Sequence, residues 1–427
     1  MNEFFLHYIW QFKLFNIRNL KLVNDEELEI IHSGSPHQNS GPDFFNAQLI
    51  INETRWAGNV EIHLKSSDWL AHQHQKDPVY DKVILHVVWE NDTEIKRKDG
   101  SEIPTLELNG KVSRSVLEKY EALKTSKNWI PCENDISTID IAKKRLLIDR
   151  MLVERLETKS NRIKQLLEVN KNDWEATLYQ LMAKYFGFKI NAVPFELLAT
   201  SLPFKLLKKY KNSTEIESLL FGQAGFLNSD LKGNYPLELK TTYNFLAHKH
   251  QLKPIDVSLW KFMRMRPGNF PTIRIAQFAE LIKNHTNLLQ KVIEAKDLNE
   301  INSFFSVSTN NYWQSHFRFD VPAAKNSKKA LGTNSIDLLI INVIVPLLFT
   351  YGNERSDEVM KEKAFNYLQE IKPEKNQLLK HWKALNMPIE NAYDSQALIQ
   401  LKQANCDLKK CLTCTIGNHL LKNKNDD

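Results

Sequence analysis

Long uninterrupted apolar runs are scarce in this 427-residue chain. The strongest, IDLLIINVIVPLLFTYG from Ile336, stays apolar for only about 14 residues, against the roughly 20 that a membrane-spanning helix needs. It also carries Asp337, Asn342 and Pro346. It reads as a buried core helix bent near Pro346, since proline lacks a backbone donor and crowds the carbonyl four residues back. At the N-terminus, MNEFFLHYIWQFKLF has Glu and His inside its apolar run and no small-residue cleavage site, so it does not read as a signal peptide. No membrane association is expected, and the expected location is cytoplasmic. Cysteine is scarce too: in that compartment four of them point to thiols or metal ligands before disulfides. A strong charge of one sign is also lacking. With 57 Lys and Arg against 51 Asp and Glu, a net charge of +6 permits a nucleic-acid partner without requiring one.

What is present divides in two. Length alone allows two or three domains at roughly 150 residues each. Residues 1–125 open with an amphipathic stretch, Phe4 to Phe15, followed by strand-like runs at Leu28–His32, Phe44–Ile51, Arg55–Lys65, Lys82–Trp89 and Pro104–Leu108. SGSPHQNSGP and NET supply turns between the early runs, and SSDWLAHQH reads as a Ser-capped short helix between the third and fourth. The order helix, three strands, helix, strand predicts an α/β unit with one mixed sheet. From about residue 140 apolar residues recur at three and four, as in AKKRLLIDRMLVERLETKSNRIKQLLEV and TIRIAQFAELIKNH, with no fixed repeat period. The expected class is therefore α+β: a mixed-sheet domain over 1–125, a large all-α domain over 126–400, a cysteine-rich segment over 401–420 docking near Cys132, and a disordered tail over 421–427.

The stretch GPDFFNAQLIINETRWAGNVEIHLK, from Gly41, concentrates chemistry. Period two places Asn59, Glu61, His63 and Lys65 on one strand face, opposite Val60, Ile62 and Leu64. A carboxylate beside an imidazole or ammonium on a rigid strand can bind a divalent ion and orient a water. Here the chain resembles the PD-(D/E)xK nuclease superfamily, through Pro42-Asp43, then Glu61-Ile62-His63, in the matching order of elements. That resemblance implies a restriction-endonuclease-like fold, with Asp43 and Glu61 holding Mg²⁺ or Mn²⁺. Where the superfamily places its water-polarising lysine this chain has His63, with Lys65 on the same face as a substitute. Simple alternation opposes the pairing: Phe45, Ala47, Leu49 and Ile51 as core positions send Asp43 to the face opposite Glu61 unless a bulge intervenes.

His32, His37, His63, His72, His74 and His86 all fall in this first part. Asp68 and His72, four apart on a helix, share a face, which makes His72 a candidate ligand or general acid. His86, in the doubly apolar KVILHVVW, reads as a hydrogen-bonded core histidine, and His37 and His74 read as exposed. In the C-terminal QANCDLKKCLTCTIGNH, Cys406, Cys411 and Cys414 follow a C-x4-C-x2-C spacing. With Cys132, or with His419 as the alternative fourth ligand, they form a candidate Zn²⁺ or iron–sulfur site. Arg264, Arg266 and Arg274, interleaved with Trp260, Phe262 and Phe270, are candidates for nucleic-acid contact, with helix packing as the competing reading.

Taken whole, GPDFFNA, GNVEIHLKSSDW, YDKVILHVVW, WIPCE, MRPGNFPTIRIAQFA and the cysteine tail resemble the domain of unknown function 2851 family of bacteria, over nearly the full length. The function expected from the residues is a metal-dependent, nuclease-like hydrolase. The alternatives are a noncatalytic nucleic-acid-binding or assembly protein with a degenerate nuclease fold and a structural metal, and a His/carboxylate metallohydrolase of a small substrate.

Overall fold

The computed structural model describes residues 1–37 and 40–422. The chain divides into two compact units, one of Met1–Leu147, Ala384–Met387 and Leu401–Asp427, the other of Ile148–Lys383 and Pro388–Gln400. The first unit thus runs beyond the expected boundary at 125 and takes in the cysteine-bearing segment. Contacts distant in sequence account for this: Lys409 Nζ donates to the Lys124 carbonyl at 2.7 Å, and Lys402 Nζ lies 5.1 Å from the centre of the Trp129 ring. Residues 423–427 of the expected disordered tail lie outside the described residues.

In the first unit, helix α1 (Glu3–Gln11) begins where the Asn2 side chain accepts the Phe5 N–H at 2.9 Å, and it buries Phe5, Leu6, Ile9 and Trp10. Strands β1 (Leu28–His32), β2 (Ser35–Pro36), β3 (Phe44–Ile51) and β4 (Thr54–Lys65) follow. After them come α2 (Asp68–Ala71), β5 (Val83–Glu90) and β6 (Thr105–Glu107). The sheet order is β1-β3-β4-β5-β6, with β2 against β3. β1, β3 and β4 form an antiparallel meander, while β5 runs parallel to β4 and β6 parallel to β5. Val83 to Val88 are buried on both faces, as a central parallel strand requires.

One local irregularity decides which face Asp43 occupies. Phe44 pairs with Val60 and Ala47 with Gly58, so Phe45 and Asn46 together oppose the single residue Asn59. Asn46 takes φ +58°, a left-handed conformation that asparagine tolerates better than most residues, and its N–H meets Asn59 Oδ1 at 3.4 Å. Across this bulge the alternation changes parity. Phe44 joins Ala47, Leu49 and Ile51 on the face of Val60, and Asp43 is delivered to the face of Glu61. Next to the bulge, a Cβ on Gly58 would lie 2.4 Å from Ile84 Cγ2 and 2.8 Å from the Lys82 carbonyl oxygen. Gly58→Ala is therefore expected to destabilise the protein by about 1–3 kcal/mol through overpacking. Denaturant unfolding reads this, and an unchanged midpoint would mean that β5 gives way at no cost.

The second unit is mainly helical, with Trp174–Phe186, Ser213–Gln223, Asn234–His250, Pro271–Asn284 and Glu358–Glu370 among its helices. It also contains a small hairpin of His316–Arg318 and Val321–Pro322, too short for a period-two pattern to show. The apolar run from Ile336 lies in a 23-residue helix, Thr333–Arg355, of mean hydropathy 1.8, with 72% of its most apolar window buried. Where a bend was expected, a π-helical turn at Ile340–Ile344 precedes Pro346. The wider turn accommodates the missing N–H and the ring.

Candidate functional site

The bulge brings the two acids of the hairpin together. Asp43 donates its N–H to Glu61 Oε2 at 3.1 Å, and Asp43 Oδ2 accepts the Ile62 N–H at 2.9 Å. Each carboxylate thus has one oxygen fixed by the other residue's strand. The helix α1 adds His7, whose Nε2 is 3.3 Å from Asp43 Oδ2 and 3.9 Å from Glu3 Oε1.

Beyond Glu61 lies a group of histidines. His63, two residues along β4, places Nδ1 at 2.8 Å from His86 Nε2 on β5 and Nε2 at 3.2 Å from His72 Nδ1. Glu61 Oε1 is 3.6 Å from His63 Nε2 and 3.3 Å from His74 Nε2. Among the described residues, His63, His72 and His74 form the group whose ligand atoms all lie within 4.8 Å of one another. His63 is buried, His74 half-buried and His72 exposed, so the group opens to solvent on one side. Trp69 and Tyr80 wall it: Trp69 packs edge-on to His63 at 6.5 Å, and Tyr80 stacks on His74 at 3.8 Å.

Burial dominates the electrostatics. It pushes His63 down to about 2, assisted by His86, His74, His72 and His7, and His86 down to about 3, assisted by His74. Both rings are therefore neutral at pH 7. Burial raises Glu61, with the Asp43 charge acting the same way and His74 opposing. For His7 burial acts downward, yet Asp43, Glu3 and Glu61 more than offset it and the net direction is up. Tyr80 is pushed up to about 12 by burial, then by Glu61 and Asp43.

The other residues singled out from the sequence fall variously. Lys65 is half exposed, with Nζ 3.6 Å from Glu90 Oε2 and 4.0 Å from Asp92 Oδ2. Four residues of strand separate it from Glu61 by about 13 Å of backbone, so it stands with those two acids and not with the hairpin carboxylates. His74, expected exposed, belongs to the histidine group because Gln73, at φ +61°, turns the chain back after α2. Arg274 is 5% exposed. It donates to Gln277, Asn269 and Ser335 and stacks on Phe188 at 4.5 Å, which removes it from any nucleic-acid surface. Arg264 and Arg266 are exposed, but the neighbouring rings of Phe262 and Phe270 are taken by Arg318, at 4.4 and 5.1 Å.

Cys132, Cys406, Cys411 and Cys414 belong to the first unit and form no disulfide. Burial raises the thiols of Cys132 and Cys406, with the other cysteines adding to it, and pushes Cys411 up to about 11, with Cys414 adding. The thiols thus lie near enough to one another to interact electrostatically. His419 Nε2 is 3.4 Å from Lys143 Nζ.

Sequence reasoning passed over His7. Its signal was the Glu3–His7 spacing of four on a helix, which aims an imidazole and a carboxylate the same way.

No curated protein and no solved structure matches the chain. One family model matches it, over residues 3–377, a span that ends before Cys406, Cys411 and Cys414.

Proposed function

The chain belongs to the family described as Protein of unknown function (DUF2851), and on that premise we propose, from its residues, that the first unit is a metal-dependent hydrolase of nucleic-acid phosphodiesters with a restriction-endonuclease-like core. The observation that carries this reading is the reciprocal hydrogen bonding of Asp43 and Glu61 at the start of β3 and within β4. The element order supports it: a helix, an antiparallel meander, a helix and a strand parallel to the third. That is the order of the PD-(D/E)xK superfamily, whose acids occupy the same two strand positions.

Asp43 and Glu61 would hold the ion, here Mg²⁺ or Mn²⁺, which when bound offsets phosphate charge and acidifies a water. The protein's own groups do the rest. The backbone N–H groups of Asp43 and Ile62 fix the two carboxylates, so that they need no reorganisation as charge develops. His63, in the superfamily's lysine position, is neutral and orients through hydrogen bonds without carrying charge. His72, exposed and 3.2 Å from His63, keeps the assisting role beside it. Arg264 and Arg266 keep the proposed role in phosphate contact, and Arg274 and Lys65 do not.

Cleavage of labelled single- and double-stranded DNA and RNA with Mg²⁺ or Mn²⁺ tests this. Glu61→Ala and Asp43→Asn are each expected to lower the rate by about a hundredfold or more, the scale of removing one preorganised group, while Lys65→Ala stays near wild type. Failure of a folded, metal-replete wild type to cut any of the four substrates would return the unit to a binding or assembly role.

A further inference from the structure

We propose that His63, His72 and His74 form a binding site for a first-row transition-metal dication of the zinc class, through Nε2 of His63, Nδ1 of His72 and Nε2 of His74. The inference goes beyond the hydrolytic reading, with which it shares Glu61, His63 and His72.

The 3.2 Å between His63 Nε2 and His72 Nδ1 is close to the edge of a tetrahedron with metal–ligand bonds of about 2.0–2.1 Å, which is roughly 3.3 Å; the His74 ligand nitrogen lies within 4.8 Å of both, and Glu61 Oε1 is 3.3 Å from His74 Nε2 and 3.6 Å from His63 Nε2. All three histidines come from positions fixed by local structure. His63 lies in the middle of β4, His72 caps the C-terminus of α2, and His74 opens the following 3₁₀ turn. The His74 ring is further oriented by its stacking on Tyr80.

The hydrogen bonding leaves ring nitrogens of the group unsatisfied. His74 Nε2 is buried and outside the hydrogen-bond network, its nearest acceptor being Glu61 Oε1 at 3.3 Å. Buried polar atoms are nearly always satisfied, and a cation between the ring and the carboxylate would satisfy both. On the far side, His63 Nδ1 meets His86 Nε2 at 2.8 Å. A proton on His63 Nδ1, given to His86, leaves the Nε2 lone pair pointing into the group. That is the outer-shell arrangement that orients metal-binding imidazoles. His86 Nδ1 has no hydrogen-bond partner either, so the histidine pair is not simply a finished core network.

The donor set selects the ion. Three imidazoles with one carboxylate nearby suit Zn²⁺, Co²⁺ or Ni²⁺, whereas Mg²⁺ prefers oxygen ligands and keeps its waters. The exposed side at His72 gives the ion an entry path.

The probe is Co²⁺ titrated into the full-length protein, followed by visible absorption. Ligand-field bands report nitrogen and oxygen coordination, and any near-ultraviolet thiolate charge transfer reports the cysteines separately. The expected result is one equivalent of Co²⁺ displaced by Zn²⁺, with bands retained in Asp43→Asn and in Cys406→Ser/Cys411→Ser. In His72→Ala/His74→Ala the affinity is expected to fall at least a hundredfold. These two side chains lie in a partly open turn, and circular dichroism checks that the variant folds. Absence of the bands in wild type, or their persistence in the double histidine variant, overturns the proposal. Absent bands with Mg²⁺-dependent cleavage intact would remove this site and leave the hydrolytic reading standing. Bands lost only in the histidine variant, from a protein that cuts nothing, would do the reverse.

Discussion

On the proposed hydrolytic reading, Asn46→Val is expected to lower nucleic-acid cleavage about a hundredfold, the scale of a reacting group misplaced by about 1 Å, while Asn46→Gly stays close to wild type. Asp43 reaches the face of Glu61 because two residues of β3 oppose Asn59 alone, and the extra residue sits at φ +58°. For an L-residue that conformation costs roughly 1–2 kcal/mol, least for glycine and asparagine and most for a β-branched side chain. Valine would push the strand toward the straight register, in which core positions 45, 47, 49 and 51 alternate unbroken and Asp43 turns to the opposite face. Phe44, 1% exposed in the bulged register, would then lose its place beside Val60. Cleavage assays on the two variants, with unfolding curves for each, read the effect. Equal activity of the valine and glycine variants would mean that the parity change does not depend on the backbone conformation at this residue.

In the second unit, raising the pH from about 5 to about 8 is expected to cost ~2–3 kcal/mol of stability through one side chain, at about 1.4 kcal/mol per unit of pKa difference. Glu217, 1% exposed, is pushed up to about 7 by burial. Hydrogen bonds from Tyr235 at 2.9 Å and from Asn310 at 3.0 and 2.9 Å favour the carboxylate, and Glu280 opposes it. The sign follows from the raised value. The folded state keeps a proton that the unfolded chain releases above its ordinary 4.5, so the stabilisation is whole below that pH and is lost as pH rises through about 7. Denaturant unfolding of wild type and Glu217→Gln at several pH values isolates it. Any constant cost of the amide beside Asn310 cancels in the slope. Parallel pH dependences for the two proteins would show that Glu217 ionises normally.

Much of the architecture was legible. Five strand runs expected from alternation recur as β1, β3, β4, β5 and β6 to within about two residues at each end, because alternation and turn chemistry are local properties. The helices after residue 140 were legible for the same reason. Glu61 and His63 were readable as neighbours on one face, since both lie in the regular part of one strand. For Arg274 packing, the competing reading, holds; the sequence left both open because an arginine among aromatic residues has the same local pattern on a surface and in a core, and Ser335, which accepts from it at 3.1 Å, is 61 residues away.

The sequence by itself determined the order of elements, the mixed character of the sheet, the face shared by Glu61 and His63, and the family. All of these follow from periodicity and motif within short windows. Tertiary structure alone decided that Asp43 joins Glu61, that His7 and His74 come beside them, that Lys65 pairs elsewhere, and that Arg274 is buried within the second unit. Each of those outcomes depends on which distant residue lies opposite: on Asn59 across from the Asn46 bulge, on the turn at Gln73 that brings His74 back over β4, and on acids or amides close in space and far apart in the chain. Pairing of this kind has no local signature, because one inserted residue reverses every side chain beyond it.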